Sequence, residues 1–268
     1  MMFPQPTSLP FVRSLAHRVE VDSTSDLARE LVQTGGFETP LLVWADRQSK
    51  GRGQGNNAWW SDEGSLTFTL AFDPLDHGFN RPGPIAAVGL IAALAVIEAV
   101  ESLLRGVALE MRWPNDVEHA GRKLGGILPE HIETREGRRL LIGVGLNVSS
   151  NLRHAPDVVR SLAVSLADLT DNPPSPEEIL PAILVTFEQI VELLKHDSMS
   201  VLARRWQARD SLKDMPVRLL VGANTIAGIG RGIDDRGALL VESDGVVSHY
   251  FGGRVLREPF AAASDGLT

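Results

Sequence analysis

The chain has 268 residues and a mass of 29.1 kDa, with 43% hydrophobic and 22% charged residues, an ordinary soluble globular composition. Lys and Arg number 26 against 34 Asp and Glu, so the formal charge is −8. That balance excludes a general nucleic-acid surface, which needs Lys and Arg to displace counterions, and makes any anion site local. The absence of Cys excludes disulfides, thiol nucleophiles and Cys-type zinc sites.

The Pro-bearing N-terminus holds no apolar run of the signal type, and the apolar stretch 85–97 is short of the ~20 residues of a membrane span. No membrane association and a cytoplasmic location are expected. In chain order, 17–21 reads as a strand. Ser23 is a helix N-cap with Asp26 in the first turn, and Leu27, Leu31 and Val32 form the apolar stripe of a helix over 24–34 ended by Gly35-Gly36. A strand at 41–44 precedes a polar, Gly-rich segment over 46–62 with no period, the kind of long loop that is usually functional or mobile. Alternation predicts a strand over 65–72, and Pro84 opens a long helix to 104.

Strands follow at 108–113, 123–132 and 139–148, the last two separated by a charged turn. Helical patterns cover 158–169, 176–195 and 202–210. Beyond 215 the pattern is β only, with strands near 217–221, 225–233, 238–242, 246–251 and 254–256 joined by Gly-bearing turns. These five strands predict a small barrel with its own minor core. The expected division is an N-terminal extension over 1–16, a catalytic domain over 17–212, a β domain over 213–260 and a tail over 261–268.

Three segments carry chemistry. In Gly51-Arg52-Gly53-Gln54-Gly55 the glycines expose backbone N–H groups, and Lys50 and Arg52 supply cations suited to an anionic ligand. The loop lacks the Gly-Lys-Ser/Thr ending of a P-loop, so a plain flexible connection stays an open reading. Arg112-Trp113-Pro114-Asn115-Asp116 ends a strand with polar side chains that can orient a ligand, or simply form an Asx-type turn. In Lys123-Leu124-Gly125-Gly126 a cation heads a strand whose glycines allow close backbone approach.

Together these segments resemble the biotin protein ligases, the biotin/lipoate ligase catalytic domain. Asp22-Ser23-Thr24-Ser25 is similar to that family's D-S-T-N, Gln48 with Gly51-Arg52-Gly53 to its Q-x-x-G-R-G, and Trp59 to the Trp that follows. Arg112 to Asp116 is similar to K-W-P-N-D, 122–128 to the strand bearing the reactive-centre lysine, and 143–148 to G-x-G-[IL]-N-V; the resemblance spans about 17–257.

The resemblance implies an α+β fold, a class II aminoacyl-tRNA-synthetase-like mixed sheet flanked by helices, with a small C-terminal SH3-like β-barrel. It implies adenylation of biotin by MgATP to biotinyl-5′-AMP, then transfer to a lysine of a biotin carboxyl carrier domain. Lys123 and Arg52 are the implied catalytic residues. Biotin falls to Ser23, Thr24, Ser25, Gln48, Arg52, Gly53, Gln54 and Lys123. ATP and the adenylate fall to Gly51, Gln54, Asn57, Trp59, Asn115 and Asn147, and Mg²⁺ to Asp116. Family members often pair through the edge of the central sheet, so a homodimer is an expectation.

Gln54 and Asn57 stand where the family loop carries two arginines, and Asn56 where it carries a glycine. The first missing Arg is one the family uses to retain the adenylate, so a looser grip on that intermediate is expected. Only 22 residues precede Ser23, too few for the winged-helix head of bifunctional members, so no DNA-binding role is expected. Two competing readings are a lipoate or octanoate ligase and a binding module that no longer catalyses. The seven histidines show no metal-ligand spacing, Glu98 and Glu101 read as helix-surface charges, and Arg204-Arg205 as a solvated face or a carrier-docking patch.

Overall fold

The structure is a computed structural model, and it describes residues 9–55, 57–79, 85–196 and 199–257. Asn56, Pro84 and the tail over 261–268 lie outside the described residues.

Seven strands form the main sheet: β1 (Ser14–Val21), β2 (Leu41–Gln48), β3 (Ser65–Phe72), β4 (Glu110–Arg112), β5 (Asp116–His119), β6 (Arg122–Thr134) and β7 (Gly137–Asn147). Their order is β1-β2-β3-β7-β6-β5-β4, with β1 and β2 parallel and every other neighbouring pair antiparallel. The mixed α+β expectation holds. Helix α1 (Thr24–Thr34) is started by Ser23, whose hydroxyl accepts the Asp26 N–H, and closed by Gly35 at φ +80°. It covers one face of the sheet, over Ala16, Leu41, Val43, Ala71, Ile132 and Leu141.

The other face carries the main core. Leu66, Phe68, Leu70 and Phe72 of β3 meet Leu140, Ile142, Val144 and Leu146 of β7 beneath α2 (Ile85–Leu103) and α4 (Pro176–Lys195). Helix α2 is apolar all round because it is sandwiched between the sheet and α4. It is long and apolar enough to cross a membrane by length and composition, yet most of it is buried inside the protein. A capping box of Ser175 and Glu178, with Pro176 in the first turn, starts α4.

Strand β3 differs from its alternating pattern by being buried on both faces. Its polar set is not turned to water: the Thr67 hydroxyl donates to the Ala45 carbonyl at 2.8 Å and the Thr69 hydroxyl to Thr24 Oγ1 at 2.9 Å. The helix expected over 158–169 is also broken. Only α3 (Asp157–Leu162) is α-helical, because Ala163 bridges to Lys123 and the Val164 N–H donates to the Lys123 carbonyl at 2.9 Å. Pairing with the start of β6 thus outcompetes helix propagation.

Helix α5 (Met199–Gln207) is tied to α2 by an Arg205–Glu98 ion pair, and Arg209, just past its end, pairs with Glu101 at 3.0 Å. Glu98, Glu101 and Arg205 are therefore part of a partly buried clamp in place of surface charges, while Arg204 is exposed, as read from sequence. The five C-terminal strands, β8 (Pro216–Val221), β9 (Asn224–Ile233), β10 (Leu239–Ser243), β11 (Val246–Tyr250) and β12 (Arg254–Val255), form a second sheet in the order β11-β10-β9-β8-β12. Its apolar residues, among them Val217, Leu219, Ile233, Leu239 and Val241, join the main core through Leu212 and Trp206. The minor core expected for this region is thus continuous with the large one.

Asp210 sits at the joint, bridged to Met111 of β4. Burial pushes its carboxyl up to about 6, against the opposing pull of the Leu212 N–H, Lys213 and Arg112. Because this value lies above that of the unfolded chain, the folded state takes up a proton between roughly pH 4 and 6 that the unfolded state does not. Stability conferred by that proton is full below the window and lost as pH rises through it. Asp210→Asn is expected to raise stability near neutral pH by about 1–2 kcal/mol and to flatten its acid-side rise, read as Tm against pH; parallel curves for the two proteins would refute this.

Candidate active site

The α1 face of the sheet has a hollow where side chains are missing. Gly143 and Gly145 of β7 and Gly126 of β6 leave room, with Gly126 directly opposite Gly145. A Cβ on Gly143 would lie 2.7 Å from Ser25 Oγ, and one on Gly145 only 2.4 Å from the Trp59 ring. The glycines therefore let α1 and the loop after β2 close onto the sheet around a cavity of about 560 Å³. That volume is within the usual range for a small-molecule site.

One part of the cavity is hydroxyl-lined. Thr24 donates its backbone N–H to Gln48 Oε1 at 2.7 Å and its hydroxyl to the same oxygen at 3.1 Å, while Ser25 and Thr69 hydroxyls share a 3.2 Å bond. Ser23, Thr24 and Ser25 are all buried. The first turn of α1 and the end of β2 thus present oriented hydroxyls, backbone N–H groups and an amide, as the resemblance implies for a polar head group.

The described residues of the loop that follows are held by specific backbone and side-chain bonds that no period in the sequence announces. The Ser49 and Lys50 N–H groups donate to the Val21 and Asp22 carbonyls, and Arg52 bridges to Ala58 across a small hairpin. Asn57 shapes the hairpin tip: its side chain donates to the Gln54 carbonyl at 2.9 Å, and the Gly53 N–H donates to the Asn57 carbonyl at 2.8 Å. Gln54 is exposed on the tip. Lys50 is drawn away to Asp22 at 2.8 Å. Arg52 lines the cavity, but its guanidinium pairs with Asp26 and Glu130, each at 2.6 Å, and Glu130 chiefly holds it above its ordinary pKa. Arg52 therefore pins the loop to α1 and β6.

Lys123 reaches into the cavity from the start of β6. Its ammonium donates to Asp116 Oδ1 at 2.5 Å and lies 5.8 Å from the centre of the Trp59 ring. Trp59 covers the hollow with its Nε1 buried and without a hydrogen-bond partner. Asn115 donates to the Ile127 carbonyl at 2.5 Å, and buried Asn147 to the Val164 carbonyl at 3.1 Å, so both lining residues also knit the wall. The Trp113 indole N–H donates to the Gly237 carbonyl at 3.0 Å and binds this wall to the second sheet.

Sequence reasoning left the anion-handling charge chiefly to Arg52 and Lys123. The cavity is also lined by Arg112, Arg218, Arg254 and Arg257, three of them from the C-terminal strands and the residues just after them. Arg257 donates to Asp116 Oδ2 at 3.0 Å. Burial pulls the Arg112 guanidinium below its ordinary pKa, with Glu118 opposing. The one available signal was the cluster Arg254-Val255-Leu256-Arg257 behind a Gly-Gly pair. Asp116, expected to order Mg²⁺, has its two oxygens engaged by two cations, and no group of three potential ligand side chains converges among the described residues. The donor set does not fit a protein-held metal.

Residues 17–147 match the model of the biotin/lipoate A/B protein ligase family, and 215–260 that of the biotin protein ligase C-terminal domain. The chain is 32% identical over 238 residues to the bifunctional ligase/repressor BirA of Escherichia coli, covering 88% of this chain and 71% of that protein. It is 31% identical over 230 residues to the biotin--[acetyl-CoA-carboxylase] ligase of Paracoccus denitrificans, covering 82% of this chain and 90% of that protein. The biotin protein ligase from Aquifex aeolicus, solved in complex with biotin and ATP, superposes with a TM-score of 0.78 at 25% identity, covering 91% of this chain and 98% of that one. By sequence, by the hollow sheet face and by its C-terminal β domain, the chain belongs to the biotin protein ligases of the biotin/lipoate A/B protein ligase family.

Proposed function

We propose that this chain joins biotin to ATP, forming biotinyl-5′-AMP and pyrophosphate, and passes the biotinyl group to a lysine of a biotin carboxyl carrier domain. The observation that carries this reading is Lys123, which stands in one cavity with the hydroxyl-lined turn of α1 on one hand and Arg112, Arg218, Arg254 and Arg257 on the other. The hydroxyls and amide suit a ureido ring, and the glycine floor suits the flat bicycle and its apolar chain.

In the first step the biotin carboxylate oxygen attacks the α-phosphorus of ATP and pyrophosphate leaves. Two anions must approach each other, and the Lys123 ammonium lowers that repulsion and offsets the charge that develops at phosphorus. ATP enters as its magnesium complex, the ion held by phosphate oxygens. In the second step the carrier amine attacks the carbonyl of the mixed anhydride and AMP leaves. Trp59, packed over Gly145, shields the anhydride from water in the interval.

Incubation with biotin, MgATP and a purified carrier domain is expected to add one biotinyl group to the carrier lysine, read by mass spectrometry. Lys123→Ala is expected to lower biotin-dependent ATP–pyrophosphate exchange by about a hundredfold or more, by analogy with loss of a preorganised charge stabiliser, while the chain stays folded. An unmodified carrier at saturating substrates would defeat the reading; exchange with lipoate in place of biotin would redirect it to the related acid.

The exposed Gln54 gives the loop tip no charge with which to hold a phosphate. Gln54→Arg is expected to slow escape of biotinyl-5′-AMP into solution several-fold, on the scale of one added charge-assisted hydrogen bond. Release followed by chromatography of filtered reaction mixtures checks this, and equal rates in both proteins would count against it.

A further inference from the structure

Glu118 is a fully buried acid that the proposed chemistry does not use. It lies on β5 two residues from Asp116, so the two carboxylates share a face of that strand. The β5–β6 pairing slips between Val117 and Glu118: Glu118 stands opposite Lys123, while Asp116 stands opposite Gly126. Such a bulge re-aims side chains. Here Lys123 reaches past Gly126 to Asp116, the Lys123 Nζ passing 3.1 Å from where a Gly126 Cβ would stand.

The result is a chain of alternating charge. Lys123 pairs with Asp116 Oδ1 at 2.5 Å and Arg257 with Asp116 Oδ2 at 3.0 Å, and the same Arg257 nitrogen forms an ion pair with Glu118 Oε1, a buried oxygen that accepts no hydrogen bond. Glu118 Oε2 is approached by the Ser211 hydroxyl at 3.4 Å, and Arg112 faces the same acid. Asp116 is thus one carboxylate divided between two cations, and Glu118 draws one of them off.

Resting on the ligase reading, we propose that Glu118 is a positioning residue for adenylation: it keeps Arg257 from taking Asp116 away from Lys123, and so fixes where the lysine's charge stands. Without the Glu118 charge, Arg257 is drawn wholly toward Asp116, and Lys123 loosens from its place. With Arg257 removed, Asp116 belongs to Lys123 alone, and the lysine is held more tightly. The two substitutions therefore move Lys123 in opposite senses, which a general loss of packing does not do.

The test reads Lys123 directly. The full-length chain is labelled with limiting acetic anhydride, and acetylation of Lys123 is quantified by peptide mass spectrometry. Glu118→Gln is expected to acetylate Lys123 about twofold or more faster than wild type, and Arg257→Gln correspondingly slower, with the double variant following Arg257→Gln. In biotin-dependent ATP–pyrophosphate exchange, Glu118→Gln is expected to lose about tenfold in kcat with biotin affinity little changed. Glu118→Asp, which keeps the charge, is expected to restore most of that rate. Labelling of Lys123 that is unchanged in a folded Glu118→Gln chain, or that shifts the same way in both single variants, overturns the proposal. If Glu118→Gln does not fold, labelling in Glu118→Asp and Arg257→Gln decides. A wild-type chain without exchange refutes the ligase reading, while the labelling still settles the role of Glu118.

Discussion

The site exists because part of one face of the central sheet is left unfilled. Along β3 and β7 the residues facing α2 are Leu, Phe, Ile and Val and close-pack into the main core. The opposite face of the same strands carries Thr67, Thr69, Gly143 and Gly145, and that change of side-chain volume is what makes a cavity in an otherwise dense domain. Everything placed over the hollow depends on it. Ser25 sits against Gly143 and Trp59 against Gly145 at distances a methyl group would not allow. The same residues that make space thus set the height of α1 and of the loop above the sheet.

Charge is the second constraint. A chain with a net charge of −8 cannot draw anions by its overall field, so it concentrates cations at one spot. It does so by using both sheets. Arg112 and Lys123 come from the main sheet, and Arg218, Arg254 and Arg257 from the C-terminal strands and the residues just after them. For this to work the second sheet must be held in register with the first. Met111 pairing with Asp210, Trp113 donating to Gly237 and Arg112 donating to the Leu256 carbonyl provide that registration. The continuous apolar core through Trp206 and Leu212 makes the joint stiff.

Local signals in the sequence reported local structure faithfully. Ser23 and Gly35 bracket α1 as their capping chemistry dictates, and Ser175 with Glu178 starts α4. Motif residues Ser23, Thr24, Gln48, Arg52, Asn115, Lys123 and Asn147 do converge on one cavity. What the sequence could not display were pairings over long separations. The partnership of Arg52 with Glu130 spans 78 residues, and that of Arg257 with Asp116 spans 141. No periodicity encodes either. The same limit explains the broken helix at Ala163, where a contact with Lys123, 40 residues earlier, overrides a helical pattern, and the burial of both faces of β3, which alternation reports as half-exposed.

The described ion pairs give the key cations of the cavity carboxylate partners: Arg52 with Asp26 and Glu130, Lys123 with Asp116, Arg257 with Asp116 and Glu118. A cation held this way is fixed in position, since the pairing counters the desolvation that burial imposes. An anion entering beside Lys123 then exchanges one oxygen partner for another instead of neutralising a bare charge. The net electrostatic gain of such an exchange is small, so discrimination rests on fit: on whether an oxygen can reach Lys123 while the rest of the molecule fills the glycine hollow under Trp59. On the proposed reading, binding strength falls to the hollow and its hydroxyls, and the cations serve the step in which charge moves, which is where stabilisation accelerates a reaction.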